Sequence, residues 1–558
     1  MLAMLRSSLI AAALLTVSQN SAAQQPPGAG GQLQQIPSVA APPRTVPDMR
    51  IERPELASDA AAEGVRIRVN SLRVTGATLF PESELVAVTG FAPGTEMTLP
   101  ELRNAAAAIT RFYNSRGYLL AQAYLPAQDV LEGTVTIAVI EGRYGTIDLR
   151  NQTRLSDGVA RRVLDGLNPG DPVAIAPLER RLLLLSDIPG VVVRSTLSPG
   201  AEVGASDLTV DLGPAPLISG SLEADNAGNR YTGAYRFGGS INVNNPTGLG
   251  DLLSLRLLAS TEGLAYGRAA YQALIGAATA GVAYTHLRYD LGREFSALDA
   301  SGSADIVSVF ASYPLIRSRN ANLHVFASAD AKFLTDEIGL VSQVSDKTIR
   351  SLTAGLRGDS HDSFGGGGWN AGSLSWTRGE LHIESPLERA ADAMSARSQG
   401  GFDKLQYAVS RLQTVSGPLS IYGSLRGQVA GDNLDSSEKM ELGGAYAVRA
   451  YPEGEAYGDE GYVATVEARL SLDQWTATLP GRFQLIGFID AGEVDFAHDP
   501  WFTGPNHARR SGAGAGLVWY APDDLIVRVT YAHRLGDQIA TSGPDDGGQA
   551  WFQIVKLF

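Results

Sequence analysis

From about Leu217 to Phe558 the chain is patterned in twos. Between Tyr462 and Leu472, Tyr462, Ala464, Val466, Ala468, Leu470 and Leu472 fall on one face of an extended strand, while Thr465, Glu467, Arg469 and Ser471 fall on the other. Leu323 to Phe333 repeats the arrangement, with Leu323, Val325 and Phe333 opposite His324, Ser328, Asp330 and Lys332. Successive side chains alternate across a strand, so each such segment has one apolar and one charged face. Apolar outside and charged inside is the pattern of a membrane β-barrel. A soluble sandwich would turn the charged face to water and would fill its core face with larger residues than the frequent Ala and Gly found here. Beyond the extreme N-terminus no run of eighteen apolar residues occurs, which excludes spanning helices.

Turn signals set the strand number. They recur at Pro246-Thr247-Gly248, Gly276 to Gly281, Pro314 to Asn322, Gly365 to Gly368, Gly417-Pro418, Pro480-Gly481 and Pro522-Asp523-Asp524. The intervening connections, such as Asp432 to Lys439 and His498 to Arg510, are longer and polar. Short turns belong on the periplasmic side and long loops outside. Seven periplasmic turns, with both chain ends also periplasmic, imply sixteen antiparallel strands. The last segment, Trp551 to Phe558, is a strand with a terminal aromatic that can close the barrel and leave no free edge.

What precedes residue 217 is of a different kind. Met1 to Ala23 carries Arg6, an apolar stretch from Leu9 to Leu15, and small residues at Ser21-Ala22-Ala23, the pattern of a secretory signal peptide. Residues 24–64 hold seven prolines and read as a mostly extended Pro-rich linker. Residues 65–142 read as a small α+β domain. Thr98 can cap a helix whose Glu101 reaches back, Leu102, Ala105, Ile109 and Phe112 recur at helical spacing, and Gly117 is placed to stop it. Thr134 to Ile140 is a β-branched strand. Residues 143–214 read as a second such domain, with helices over Val159–Leu167 and Leu178–Leu185 and closing strands at Val191–Val193 and Leu208–Leu212.

Composition excludes several chemistries. There is no Cys, so disulfides, thiolate metal sites and cysteine nucleophiles are absent together. Lys and Arg number 45 against 59 Asp and Glu, a net charge of −14, which argues against a nucleic-acid partner. Neither small domain contains a His, and the seven His of the chain are scattered through the barrel region and never form a ligand-spaced pair. No nucleophile elbow or phosphate-binding loop is present. Gly358-Asp359-Ser360-His361-Asp362 lies beside a turn, where adjacent residues point to opposite faces, and Gly512-Ala513-Gly514-Ala515-Gly516 suits a barrel wall. The reading is a protein with no catalysis, no metal and no cofactor.

Five stretches, in this order, resemble one family. Gly117-Tyr118 through Pro126-Ala127-Gln128-Asp129 to Ile140-Glu141-Gly142 is similar to a first POTRA signature, and Leu178-Glu179-Arg180 through Asp187-Ile188-Pro189-Gly190 to a second. Asp225-Asn226-Ala227-Gly228, with Tyr231-Thr232-Gly233 and Asn244-Asn245-Pro246, resembles the opening of the barrel domain. Leu442-Gly443-Gly444 followed by Val448-Arg449-Ala450-Tyr451 resembles the tip of the sixth extracellular loop, and Phe488-Ile489-Asp490 a motif of the thirteenth strand. Together they are similar to the TpsB transporters of two-partner secretion (ShlB, FhaC and HecB type) within the BamA-like superfamily.

The resemblance implies an outer-membrane pore of a Gram-negative bacterium with its N-terminal domains in the periplasm. It implies an unfolded TpsA-like exoprotein as partner, outer-membrane lipid around the barrel and the barrel-assembly machinery for its insertion. Tyr118, Tyr124, Gln128 and Asp129 are candidates for holding the exoprotein. With Val448 turned to lipid, alternation would turn Arg449 inward, and alternation from Phe483 to Ala491 places Gln484, Phe488 and Asp490 inward, so Arg449 and Asp490 can meet. The family implies that this pair fastens a loop folded back into the pore. Ala450 stands where Gly is commoner, and the prolines leave Gly28 to Ile36 room for a turn or two of plug helix at most. A barrel-assembly factor is the alternative, though such factors usually carry more than two POTRA units, and a diffusion porin would need neither domain.

Overall fold

A computed structural model describes residues 27–37, 47–52 and 66–558. The leader read at residues 1–23 lies outside the described residues.

The first domain begins with two short strands, β2 (Arg66–Val69) and β3 (Ser71–Thr75), preceded in the chain by α1 (Ala29–Gln34) and β1 (Asp48–Ile51). Then come α2 (Glu82–Val88), β4 (Thr95–Thr98), α3 (Leu99–Ser115), β5 (Gln122–Tyr124) and β6 (Thr134–Ile140). β6 lies between β3 and β5, and β2 pairs with β4. α3 starts where the sequence predicts. The Thr98 amide donates to Glu101 Oε2 at 2.6 Å and the Glu101 amide to Thr98 Oγ1 at 3.4 Å, which satisfies two donors that a helix start otherwise leaves open. Its Leu102, Ala105 and Ile109 are buried against Val135, Ile137 and Val139 of β6. The second domain comprises β7 (Arg143–Asn151), α4 (Asp157–Leu164), α5 (Ile175–Ser186), β8 (Val191–Pro199) and β9 (Ala205–Pro214). α4 stops three residues before the predicted end because the next turn runs through Gly166 at φ +96°.

Within residues 24–64, the described segments 27–37 and 47–52 do more than link. β1 pairs in parallel with β8 and extends the second domain's sheet to four strands. α1 lies inside the barrel with Ala29 to Gln32 buried. The Ala29 amide donates to Asp336 Oδ1 at 2.7 Å, and Arg236 Nη1 donates to the Gln35 carbonyl at 2.8 Å. A six-residue helix containing Gly30 and Gly31 has little intrinsic stability. Its lumen contacts hold it, and no local pattern in the sequence encodes them. At Gly30 a Cβ would come within 2.5 Å of the Ser437 amide nitrogen, so glycine lets the helix approach the loop opposite.

Sixteen strands, from Ile218–Asp225 to Gly548–Leu557, close into an antiparallel barrel. All seven anticipated turns join neighbouring strands, the tightest being Gly276-Ala277 and Gly417-Pro418. Inward and outward faces alternate as the pattern predicts. Val466 and Ile489 are 59% and 56% exposed toward the lipid side, whereas Glu467 and Asp490 on the inner face are 6% and 0% exposed. The seam between first and last strands runs from Ser221 opposite Leu557 to Asp225 opposite Gln553. Phe558 adds a reciprocal backbone pair with Gly220, at 2.9 and 3.1 Å. Among the described residues no helix is long and apolar enough to cross a membrane; strands make the crossing.

Candidate functional site

Between the strands Leu419–Ala430 and Glu460–Ser471 the chain makes its longest excursion, and it folds back into the lumen. Its stem is a two-residue hairpin, Met440–Glu441 with Tyr457–Gly458. The tip is a set of tight turns in which Val448 donates to the Leu442 carbonyl at 3.0 Å and Tyr451 to the Val448 carbonyl at 3.1 Å. Val448 is fully buried among Leu442, Ala450, Tyr451 and Phe488. The expectation that it faces lipid is therefore corrected: the tip is not a wall strand, so alternation does not govern it. Arg449 reaches the lumen face because the whole loop lies there.

Arg449 makes the central contact. Nε donates to Asp490 Oδ2 and Nη2 to Asp490 Oδ1, both at 2.8 Å, and its own amide donates to Asp490 Oδ2 at 3.2 Å. Nη1 donates to Glu467 Oε1 at 2.7 Å. Thr465 Oγ1 adds a hydrogen bond to Asp490 at 2.8 Å. The Phe488 ring lies flat below, with the guanidinium carbon 3.4 Å from its centroid. Planar bidentate geometry, a second carboxylate and an aromatic face use every property that separates Arg from Lys. Trp551 Nε1 donates to the Arg449 carbonyl at 2.7 Å, so the tip is tied to the twelfth, thirteenth and last barrel strands together.

Tyr451 and Ala450 are placed as closely. The Tyr451 hydroxyl donates to the Gln538 carbonyl at 2.9 Å, and Arg510 stands 5.2 Å from its ring centroid. The Ala450 methyl abuts Gly512, where a Cβ would come within 2.3 Å of it. The Ala450 methyl is thus accommodated by a missing methyl on the wall. Gly514 gives Phe488 the same room.

Other buried charges pin the rest of the loop. Lys332 and Lys404 meet Glu438 at 2.5 and 2.8 Å, Lys347 meets Asp435 at 3.0 Å, Lys439 meets Asp459 at 2.6 Å, and Arg510 meets Glu455 at 2.6 Å. Arg236, 1% exposed at the start of the second barrel strand, pairs with Asp225 at the end of the first at 2.8 Å while holding the end of α1. No local sequence pattern pairs these groups. Inward parity marks Lys332, Glu467 and Asp490 as lumen residues, but only the folded loop shows what each one meets.

Of the four residues considered for exoprotein contact, two have their side chains engaged within the first domain. Tyr118 packs edge-on against Phe80 and Tyr113, with centroids 5.9 and 6.2 Å apart. Gln128 donates to the Thr136 carbonyl and accepts from the Thr136 amide, both at 2.7 Å, and so stands in for a neighbouring strand beyond the end of β5. Tyr124 and Asp129 are exposed. Glu141, directly after β6, is buried as an acceptor hub. The amides of Thr78 and Leu79 donate to it at 2.6 and 2.8 Å, the Thr78 hydroxyl at 2.5 Å and the Tyr113 hydroxyl at 2.9 Å. Burial opposes its charge, but these hydrogen bonds win and hold the carboxyl below its usual range.

Comparison with known proteins supplies the context. Residues 204–517 match the family model described as haemolysin secretion/activation protein ShlB/FhaC/HecB, and residues 67–142 match the POTRA domain of ShlB type. The heme/hemopexin transporter protein HuxB of Haemophilus influenzae (strain 86-028NP) is 30% identical over 484 residues, covering 83% of this chain and 82% of its own length. The outer membrane transporter CdiB of Dickeya dadantii is 23% identical over 510 residues, covering 89% and 86%. Among solved structures, CdiB from Escherichia coli superposes with a TM-score of 0.70 at 21% identity, over 90% of this chain and 93% of that one. BamA from Haemophilus ducreyi, lacking POTRA domains 1–3, superposes at 0.54 and 14% identity, over 88% and 100%.

Proposed function

Because this chain belongs to the ShlB/FhaC/HecB family of haemolysin secretion/activation proteins, we propose that its lumen-folded loop and its short N-terminal helix α1 together close the resting pore and are displaced by the protein being secreted. The chain is an outer-membrane transporter of two-partner secretion that works with a TpsA-like exoprotein. Its barrel lies in the outer membrane and its POTRA domains in the periplasm.

The observation that carries the proposal is Arg449, 7% exposed and shared between Asp490 and Glu467 on two neighbouring wall strands. A loop held so firmly seldom leaves the lumen unaided, since breaking a buried pair by losing one partner costs about 3–5 kcal/mol, which keeps the released state at about one per cent or less. The unfolded exoprotein, captured first at the POTRA domains by strand addition beside Tyr124 and Asp129, supplies the compensating contacts. No ATP is available in the periplasm, so one-way folding of the exported chain outside drives its passage, and the transporter performs no covalent chemistry. Lipid solvates the apolar outer face, and the barrel-assembly machinery inserts the barrel.

The test compares proteins in the medium of the native host with and without this gene, by mass spectrometry. Loss of one large β-rich exoprotein, with its fragments degraded in the periplasm, supports the reading and names the cargo. An unchanged medium with depleted outer-membrane barrels would replace it with barrel assembly.

A further inference from the structure

The second domain is seated on the periplasmic mouth of the barrel by guanidinium groups. Arg317 grips Asp187 with two hydrogen bonds of 2.7 Å, Arg319 meets Glu179 at 2.5 Å, and Arg180 donates to the carbonyls of Pro314 and Leu315 at 3.0 Å. Beside this joint lies a cavity of about 330 Å³, walled on one side by α4 and α5 and on the other by the inner face of the barrel. Arg162 and Arg181 line it from the domain, Arg357 from the barrel wall, and Arg317 from the joint itself.

The charge balance here is the reverse of that of the chain. The sequence carries 59 acidic against 45 basic residues, yet this cavity gathers four arginines around a single carboxylate, Asp187, which Arg317 already holds. Among the described residues Arg162, Arg181 and Arg357 have no carboxylate within the 4.0 Å of an ion pair. Two of them are held in place by other means. Arg181 Nη1 donates to the Val163 carbonyl at 3.4 Å, and Arg357 lies 5.6 Å from the Phe326 ring centroid. On the same wall the Ser312 hydroxyl is buried and has no hydrogen-bond partner among the described residues. Phe310 and Leu184 supply apolar surface between these groups. Like charges converging on a concave, half-enclosed site repel one another, and an anion between them relieves that repulsion.

We propose that this cavity is a docking site for a carboxylate-bearing segment of the unfolded exoprotein as it passes from the POTRA domains into the lumen. Guanidinium groups match carboxylates in plane and number of donors, and a segment held here touches the second domain and the pore wall at once. It lies at the junction a chain crosses between the two. The inference rests on the transport reading, and binding and secretion are separate readouts, so either can fail alone.

The probe is a fluorescein-labelled Gly/Ser peptide carrying several aspartates, with asparagine and lysine analogues, titrated by fluorescence anisotropy against the whole protein in lipid nanodiscs. The aspartate peptide is expected to bind more tightly than both analogues and to weaken as salt screens the site. Its affinity should fall about tenfold or more in the double variant Arg181→Gln/Arg357→Gln. The Arg181→Lys/Arg357→Lys pair keeps the charge without the planar fork and should fall between parent and Gln variant, and heat-modifiable migration on gels checks that each variant is a folded barrel. Equal binding of the aspartate and asparagine peptides, equal binding to parent and Gln variant, or no binding at all would overturn the proposal. So would displacement of the peptide by an equal concentration of inorganic phosphate, which would make this a small-anion site.

Discussion

Arg449 and Asp490 hold each other by two parallel hydrogen bonds of 2.8 Å, and Asp490 is wholly buried. Forty-one positions separate them along the chain, so the pair fastens the loop tip to a wall strand that local interactions cannot reach. Arg449→Ala leaves Asp490 buried without its cation, whereas Glu467 keeps Arg469 at 2.7 Å. We expect the barrel to assemble, as heat-modifiable migration will show, and exoprotein in the medium to fall at least severalfold. Arg449→Lys cannot form the fork and should fall between. Normal secretion by Arg449→Ala would remove the loop from the mechanism.

Gly512 and Ala450 make the same fit sterically. Gly512→Val places a branched side chain where even a Cβ lies 2.3 Å from the Ala450 methyl. The tip should be forced from the wall and single-channel conductance in planar bilayers should rise. Gly512→Ala is the milder case, and Ala450→Gly should reverse it because the removed methyl is the obstacle. Additive effects in the double variant would argue against direct contact.

Asp336 Oδ1 accepts both the Ala29 amide, at 2.7 Å, and the Tyr289 hydroxyl, at 2.6 Å. Asp336→Ala should free the start of α1, raising conductance and sensitivity to large antibiotics that the closed pore excludes. Asp336→Asn keeps an acceptor but loses the charge, so a smaller change is expected. Removal of residues 28–37 should match or exceed Asp336→Ala; no change in either variant would show that α1 does not obstruct the pore.

Glu141 gives the first POTRA domain a pH dependence with a definite sign. Its carboxyl titrates lower folded than unfolded, so its stabilisation is fully present above the unfolded value, about 4.3, and is lost as pH falls through the folded one. Hydrogen exchange of the Thr78 and Leu79 amides, corrected for intrinsic rates, should therefore be slow near neutrality and accelerate in acid. Glu141→Gln should cost about 1–3 kcal/mol at neutral pH and flatten that acid response. An unchanged acid response would assign it to another group.

Much of this molecule can be read from period and punctuation. Two-residue alternation with seven turn signals is enough for sixteen strands, because a strand's faces are set by local geometry and a barrel needs an even closure. The same parity turns Phe488 and Asp490 inward, and the helix at Leu99 is announced by its own capping residues. Alternation fails at Val448, which belongs to a loop whose path depends on the cavity that receives it. It is also silent about α1, where two glycines would argue against helix.

By itself, then, the sequence determined the elements whose stabilising contacts lie within a few residues or repeat along a strand: strand faces, turns, caps, and the acidic character of the chain. Only the tertiary structure decided which charges meet. Arg449 with Asp490 and Glu467, Arg236 with Asp225 and α1, Ala450 against Gly512, and the arginines at the periplasmic mouth are each assembled from residues eleven to about two hundred positions apart. A buried charge is tolerable only beside its partner, and those partners become neighbours only when the barrel closes around the loop and the helix.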